Sequence, residues 1–395
     1  MGPMTKDSIV ITAAKRTPIG GFQGALSGLA APRLGSIAIK AALEETGLSS
    51  VDEVFMGNVL PAGVGQNPAR QSGLGAGLAQ SVPATTVSKV CGSGMKALIL
   101  GHDSIVAGSN ARVVVGGMES MSNAPYLLPK ARAGLRLGHG EVKDHMFTDG
   151  LEDAYSGRLM GTYAEDTAEA YQFSRADQDK YAVLSLQRSL AAQDTGAFKN
   201  EMVVIDEVSG RTRVSLDRDE QPGKVDVGRI SQLRPAFREG GTVTAANSSS
   251  ISDGAAAFVL MRASEAEKIG AKPLAVIAGH AGHAREPAQF TTAPIGAVNA
   301  LLEKLVWRSS EVELYEINEA FAVVAMAAMR DLSLPSDIVN VNGGACALGH
   351  PIGASGARIV VTLLHAMIAR GAKKGLASLC IGGGEATAVG LTLIS

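Results

Sequence analysis

Thr85-Thr86-Val87-Ser88-Lys89-Val90-Cys91-Gly92-Ser93-Gly94-Met95 leads from a β-branched run into one with few helix breakers, with a cysteine at the junction. The β-branched residues predict a strand over Thr85 to Val90, and the pattern from Met95 to Val106 predicts a helix. At such a junction backbone N–H groups lack partners and the helix dipole is positive, and both effects favour thiolate over thiol. Most free cysteines are small buried hydrophobes, so this stretch alone leaves both readings open.

The same grammar occurs twice. In the first pass a strand over Ser8 to Ala14 leads to a helix over Leu34 to Thr46, stopped at Gly47. A strand over Val51 to Val59, a helix over Pro68 to Leu78, the Cys91 unit and a strand over Ala111 to Gly117 follow. From Pro273 the order returns, with strands predicted at Leu274 to Gly279, Val312 to Glu319, Ile338 to Asn342 and Leu376 to Ile381. Helices are predicted at Ala297 to Val306 and from Gly353 onward, Gly353-Ala354-Ser355-Gly356-Ala357 opening the second as Cys91 to Met95 opens the first. The expected fold class is α/β, two related halves with largely parallel, helix-covered sheets. Residues 1–122 with 248–272 form the first half and 273–395 the second. Residues 123–247, richer in charge, Tyr and Met, read as an insertion. It holds a basic loop, Lys130 to Arg136, and a long helical stretch from Thr162 to Thr195 with a cap-like Ser174-Arg175-Ala176-Asp177 inside it.

Composition narrows the function. A 395-residue chain with 46% hydrophobic residues and 47 glycines can bury a large core with many tight turns. With aromatics at only 4%, its elements must pack through small aliphatic side chains. A formal net charge of -2 gives no electrostatic reason to expect nucleic acid as a partner. The three cysteines cannot make a paired disulfide framework, which fits a reducing cytoplasm. The start, Met1 to Asp7, is short and polar, Gly2 lacks a myristoylation pattern, and no uninterrupted apolar stretch of membrane-spanning length is apparent. The expectation is a cytoplasmic protein that engages neither membrane nor nucleic acid.

Two related halves would bring corresponding strand ends to a shared site. Four stretches fall there: Cys91, Asn318-Glu319-Ala320-Phe321, Gly349-His350-Pro351 and Cys380-Ile381-Gly382-Gly383-Gly384. Each has a plain structural alternative: a cap for Asn318, a surface imidazole for His350, a core residue for Cys380, a flexible turn for the glycines. Together they supply what acyl transfer through a cysteine needs. Cys91 can attack, His350 can take its proton, and Cys380 can act as a second acid/base. Backbone N–H groups in the glycine turn, with Asn318, can hold an oxyanion.

These motifs resemble the thiolases, acyl-CoA:acetyl-CoA C-acyltransferases. The resemblance rests on Val90-Cys91-Gly92-Ser93-Gly94, Asn318-Glu319-Ala320-Phe321-Ala322, Gly343 through Gly356, and Cys380 through Gly384. Thr242 through Ser249 and Asp253-Gly254-Ala255-Ala256 add to it, so it covers nearly the whole chain in order. It implies a thiolase-like five-layered αβαβα sandwich of two duplicated halves plus an inserted loop domain. The implied activity is acetyl-CoA C-acetyltransferase: reversible condensation of two acetyl-CoA to acetoacetyl-CoA and CoA through acetyl-Cys91. By resemblance His350 deprotonates Cys91 and Cys380 moves the α-proton. Asn318 positions a water that forms one oxyanion hole with His350, and the N–H groups of Cys91 and Gly382 form the other.

The resemblance also places Ala246 and Ser249 along the pantetheine channel and Lys224 and Arg229 toward the nucleotide end of CoA. It makes the Lys130 to Arg136 loop a contact of a homotetramer, and it implies no cofactor and no metal. Leu159-Met160 stands where many acetoacetyl-CoA thiolases have His-Met, so Leu159 offers no hydrogen bond. Phe290 falls where the family can wall off the acyl pocket, which would favour short chains. Glu385 is expected to raise the pKa of Cys380 if the two side chains face each other. Rival readings are a 3-ketoacyl-CoA thiolase for longer chains, a decarboxylating condensing enzyme, and a non-catalytic thiolase-like acyl or lipid binder. A Rossmann dehydrogenase is disfavoured, because no G-x-G-x-x-G follows the first strand.

Overall fold

The computed structural model describes residues 5, 7–209 and 212–394. The reading of the polar N-terminus therefore lies outside the described residues, apart from Thr5 and Asp7. The first half has strands β1 (Ile9–Arg16), β2 (Glu53–Gly57), β3 (Ala84–Val87), β4 (Arg112–Ser120) and β5 (Ser252–Arg262). Its helices are α1 (Ala31–Thr46), α2 (Pro68–Gly75) and α3 (Ser93–Val106). The inserted segment contributes α4 (Met160–Ala170) and α5 (Arg175–Asp194), and α6 (Ala263–Ile269) follows β5. The second half has strands β6 (Ala275–Ala284), β7 (Leu314–Ile317), β8 (Lys374–Ile381) and β9 (Glu385–Leu393). Its helices are α7 (Ala293–Leu305), α8 (Ala322–Asp331) and α9 (Ile352–Arg370).

The strand order carries the duplication. The first half runs β1-β5-β4-β2-β3 and the second β6-β9-β8-β7, the same path through corresponding strands. Where β3 lies beside β2, the second half has only one parallel bridge, Tyr315 to Val339. The Ile338 to Asn342 segment is thus in the expected place but forms no strand; a 3-10 turn, Ser336–Ile338, enters it and Asn340 has φ 48. The two sheets meet through β1 and β6, paired at Val10/Val276 and Ile11/Ala275.

Five layers follow from which face each strand buries. On β1, Ile9 and Ile11 face a core shared with Met95 and Ile359, while Val10 and Ala13 face one shared with Leu34 and Ala38. A register shift between Ile11 and Ala13 accommodates both phases. Helices α1 and α2 cover the outside of the first sheet, α7 and α8 the outside of the second, and α3 and α9 lie between the sheets. In α9 every residue from Ile352 to Met367 is buried. That helix corrects one expectation: at 19 residues and mean hydropathy 1.6 it is long and apolar enough to cross a membrane. Its apolarity is explained by position, since a helix walled by sheets and another helix must be apolar nearly all round.

The sheets are mixed, where the sequence suggested largely parallel ones. Among the named strands of the described residues, only the pairs β2·β3, β2·β4 and β7·β8 are parallel; β5 and β9 run antiparallel to both of their neighbours. A three-residue hairpin of Gly382, Gly383 and Gly384 joins β8 to β9 and forces them antiparallel. The long helix expected over Thr162 to Thr195 is two helices. The chain turns at Gln172, with φ 54, and Ser174 restarts it with a capping box to Asp177. Buried ion pairs tie the insertion to the body: Arg16 Nε donates to Glu201 at 2.5 Å and its Nη1 to Asp219 at 2.7 Å.

Glycines set how closely the central helices approach. A Cβ on Gly117 would lie 2.2 Å from the Gly353 carbonyl oxygen, and one on Gly356 would lie 2.6 Å from Met95 N. Gly117→Ala is expected to destabilise the protein by about 1–3 kcal/mol, since backbone must move to admit the methyl. Gly223→Ala, where the methyl meets nothing within 4 Å, should stay within about 0.5 kcal/mol. Urea unfolding of the two variants measures the contrast.

Candidate active site

Cys91 stands on a sharp turn between β3 and α3. The strand ends at Val87, three residues before the predicted end, and Val90 then adopts φ 45, a left-handed conformation costly for a β-branched residue. Ser93 holds that turn: its Oγ donates to Val90 O at 2.6 Å and accepts from Lys89 N at 2.8 Å. Gly92 and Ser93 N–H groups close back onto Lys89 and Val90 carbonyls, both at 3.0 Å. Cys91 is left partly exposed, two residues before the first residue of α3.

His350 holds the corresponding place before α9, two residues ahead of Ile352. Because the first turns of α3 and α9 touch at Gly94, Gly353, Gly356 and Met95, the residues that precede them come from the two halves to one region. His350 is buried, and its Nδ1 lies 2.5 Å from Ser355 Oγ. Ser355 Oγ spends its own hydrogen on Pro351 O at 2.9 Å, so the proton between it and His350 belongs to Nδ1. Nε2 is then an unprotonated acceptor, buried and without a partner among the described residues. Burial lowers the His350 pKa to about 3, helped by the Arg358 cation, so the imidazole is neutral at ordinary pH.

The third arm is the glycine hairpin. Gly383 and Gly384 have φ 91 and 89, open only to glycine at low cost. A Cβ on Gly384 would lie 2.4 Å from Arg285 O. The hairpin aims the Gly382 N–H at the Cys91 sulfur, and the N–H of Cys91 itself points there too. Burial nevertheless pushes the Cys91 thiol up to about 11. The two N–H groups pull it down, and the Glu119 carboxylate adds a smaller upward push. The expectation that the junction would favour thiolate is therefore not met: desolvation outweighs the dipole. Cys380, fully buried on β8, has its pKa held well above the usual thiol value by burial and then by the charge of Cys91. The Cys91 sulfur is therefore within electrostatic reach of Cys380.

Asn318 follows β7 and is fully buried, with its backbone N–H on Ser378 O at 3.0 Å. Its side-chain Oδ1 and Nδ2 have no partner among the described residues. Buried amides are normally satisfied, so both atoms are ready for a ligand or water. Ser249 donates through both N–H and Oγ to Ala320 O at 3.0 Å, and Ala246 packs with Leu186, Ile230 and Ala347, which brings both to the second half's site loops. Met160 and Phe290 share a core cluster with Cys380, and Phe290 meets Tyr163 edge-on at 6.3 Å. Leu159 is the N-cap of α4 and lies outside that cluster. Lys224 pairs with Glu220 at 2.5 Å on the surface and Arg229 is exposed in a 3-10 turn, so neither reaches the cysteines. Glu385 pairs with Lys89 rather than acting on Cys380, which corrects that expectation.

Several supporting residues escaped the sequence reading. Glu119 is fully buried and accepts from Asn58 Nδ2, Val59 N, Leu60 N and Gly353 N, binding the end of β4 to the start of α9. Burial raises its pKa to about 7. Strand register pairs Gly57 with Gly117 and Ile317 with Ser378, so with Asn58 matching Asn318, Glu119 matches Cys380. Aligning the two halves residue by residue would have singled it out. Glu319 accepts from Tyr181, Ser185, Asn340 and Cys346 N, fastening α5 to the loop after β7.

Known proteins share this fold and its order of domains. The thiolase N-terminal domain pattern matches residues 9–264 and the thiolase C-terminal domain pattern residues 271–392. An acetyl-CoA acetyltransferase of Pseudomonas aeruginosa is 49% identical over 387 residues, covering 97% of this chain and 98% of that one. Acetyl-CoA acetyltransferase 2 of Arabidopsis thaliana is 51% identical over 391 residues, covering 98% and 97%. The Bacillus anthracis acetyl-CoA acetyltransferase crystal structure superposes with TM-score 0.96 at 39% identity, covering 98% of this chain and 99% of that one. The Acat5 thiolase of Ascaris suum in complex with coenzyme A gives 0.93 at 41% identity, covering 98% and 100%. With both domain patterns matched in order across the duplicated fold, this chain belongs to the thiolase family.

Proposed function

We propose that the chain is an acetyl-CoA C-acetyltransferase that joins two acetyl-CoA into acetoacetyl-CoA and CoA, and runs the reverse thiolysis, through acetyl-Cys91. The observation that carries this reading is the meeting of two N–H groups at the Cys91 sulfur, within electrostatic reach of a second buried thiol. In the first half-reaction the Cys91 proton passes to His350 Nε2 and the thiolate attacks the thioester carbon. The N–H groups of Cys91 and Gly382 hold the resulting oxyanion. The C–S bond to CoA breaks, CoA takes the proton from His350, and acetyl-Cys91 remains.

In the second half-reaction Cys380 releases its proton to solvent, and its thiolate takes the α-proton of a second acetyl-CoA. Asn318, through a water, and His350 stabilise the enolate oxygen. The carbanion attacks acetyl-Cys91, the C–S bond to Cys91 breaks, and the freed thiolate takes from solvent the proton that Cys380 released, so the cycle closes without a cofactor. Met160, Phe290 and Tyr163, packed with Cys380, support a short acyl pocket. Ala246 and Ser249 line the way in for pantetheine, and Lys224 and Arg229 lie toward the nucleotide end. The inserted segment, 123–247, covers CoA. A cytoplasmic homotetramer is the proposed working form; the exposed loop around Lys130 to Arg136, with Leu137 wholly exposed, supports a contact between subunits there.

Cys91→Ser is expected to abolish acetylation of the tryptic peptide carrying position 91 after incubation with acetyl-CoA. Cys380→Ser should still acetylate Cys91 while turnover falls by about 10²–10⁴-fold; equal loss of both steps would remove Cys380 from its role. Thiolysis rates should be highest with acetoacetyl-CoA and drop as the 3-ketoacyl chain lengthens, and a maximum at longer chains would overturn the short-pocket reading. Because burial pushes the Cys91 thiol up to about 11, its reactive thiolate is expected to grow as pH rises. Iodoacetamide inactivation should therefore accelerate steadily from pH 7 toward that value, and a plateau near neutral pH would contradict it.

A further inference from the structure

Away from the cysteines, α3 and β6 bring together three metal-ligating side chains that the acyl-transfer chemistry does not use. His102 Nδ1 and His280 Nε2 each lie 2.9 Å from the same oxygen, Oδ1 of Asp103. The three ligand atoms all fall within 4.8 Å of one another. The rings stand edge to face, centroids 5.2 Å apart and planes inclined by 81°. We propose that His102, Asp103 and His280 bind a divalent transition-metal ion of borderline softness, such as Zn²⁺, as a clamp between the two halves of the fold.

The ligand atoms lie near the spacing an ion requires: two donors 2.9 Å apart would subtend roughly 90° at a metal held by bonds of about 2.0–2.1 Å, narrower than the tetrahedral angle of Zn²⁺, so the side chains part slightly as they exchange their hydrogen bonds for the ion. Two neutral imidazoles and one carboxylate leave one negative charge to meet a dication. The side chains of His102 and His280 are only 15% and 19% exposed, so the ligands are held by packing, whereas Asp103 is 50% exposed and gives the ion a path from solvent. Lys304 is the nearby cation; its ammonium is engaged by the His280 carbonyl oxygen at 3.1 Å. His102 and Asp103 belong to α3 of the first half and His280 to β6 of the second. Cys91 lies roughly 15 Å away along α3, so the ion would stiffen the framework and leave the reacting atoms alone.

The test uses the full-length chain without a polyhistidine tag, stripped with EDTA and returned to chelator-free buffer. Zn²⁺ titration by calorimetry should show one ion per chain and a rise in melting temperature, and Co²⁺ should give visible d–d absorption. His102→Ala, Asp103→Asn and His280→Ala should each weaken Zn²⁺ by about tenfold or more while keeping metal-free thiolase turnover, which shows that they fold. His283→Ala, on the same strand, should bind as the parent does. Absence of saturable binding would overturn the proposal, as would binding that survives His280→Ala but is lost in Cys91→Ser, since the ion would then sit on the catalytic thiol.

Discussion

The structure depends on the contact between the first turns of α3 and α9. Gly94, Gly353 and Gly356 let two helix backbones touch where ordinary side chains would hold them apart, and Gly117 lets β4 lie against the same point. Everything reactive is placed relative to that crossing. Cys91 and His350 each sit two residues ahead of a touching helix, so neither depends on a long loop for its position. Tight backbone contact, unlike side-chain packing, leaves little slack for relative motion, and catalysis by positioned groups needs that stiffness.

Around the crossing the two halves divide the labour. Equivalent strand ends carry Glu119 in one half and Cys380 in the other. The carboxylate is consumed by four hydrogen bonds and acts as a rivet, whereas the thiol has only Cys91 and its own backbone as electrostatic neighbours of consequence. Asn58 and Asn318 diverge likewise: one amide donates to Glu119, the other has both side-chain atoms free of protein partners. The duplicated scaffold thus carries polar groups at both equivalent positions: in the first half Asn58 Nδ2 and Glu119 are bonded to each other, with Asn58 Oδ1 left over, and in the second the Asn318 amide and the Cys380 thiol are available for chemistry.

Much of this was legible in the chain itself. The repeated strand–helix order gave both halves, and the motifs at Cys91, Asn318, His350 and Cys380 sat at strand ends, where an α/β fold concentrates function. What escaped had physical reasons. Strands β5 and β9 read as small-residue runs, and their antiparallel direction is set by pairing partners far away in sequence. The helix break at Gln172 rests on one left-handed residue with no glycine or proline to announce it. The thiol's reluctance to ionise follows from burial by distant segments, which a local argument about a helix terminus cannot weigh. Ser355, the partner that fixes the His350 tautomer, lay inside a motif already quoted, yet only the first turn of α9 makes the two adjacent.

The enclosure of α9 has a consequence for how the molecule is made. This helix is buried along nearly its whole length between two sheets, one of which is finished only by β8 and β9, which follow it in sequence. During synthesis a segment with the length and hydropathy of a bilayer span therefore emerges before the part of its covering that β8 and β9 supply, although α3, β4, β5 and β7 precede it. Until β8 and β9 arrive, the face they cover is surplus apolar surface, open to aggregation or to capture by chaperones. The base, His350, stands at the head of that helix, and Cys380 arrives with a strand that covers it, so the nascent chain gains its second thiol and part of the helix's covering together.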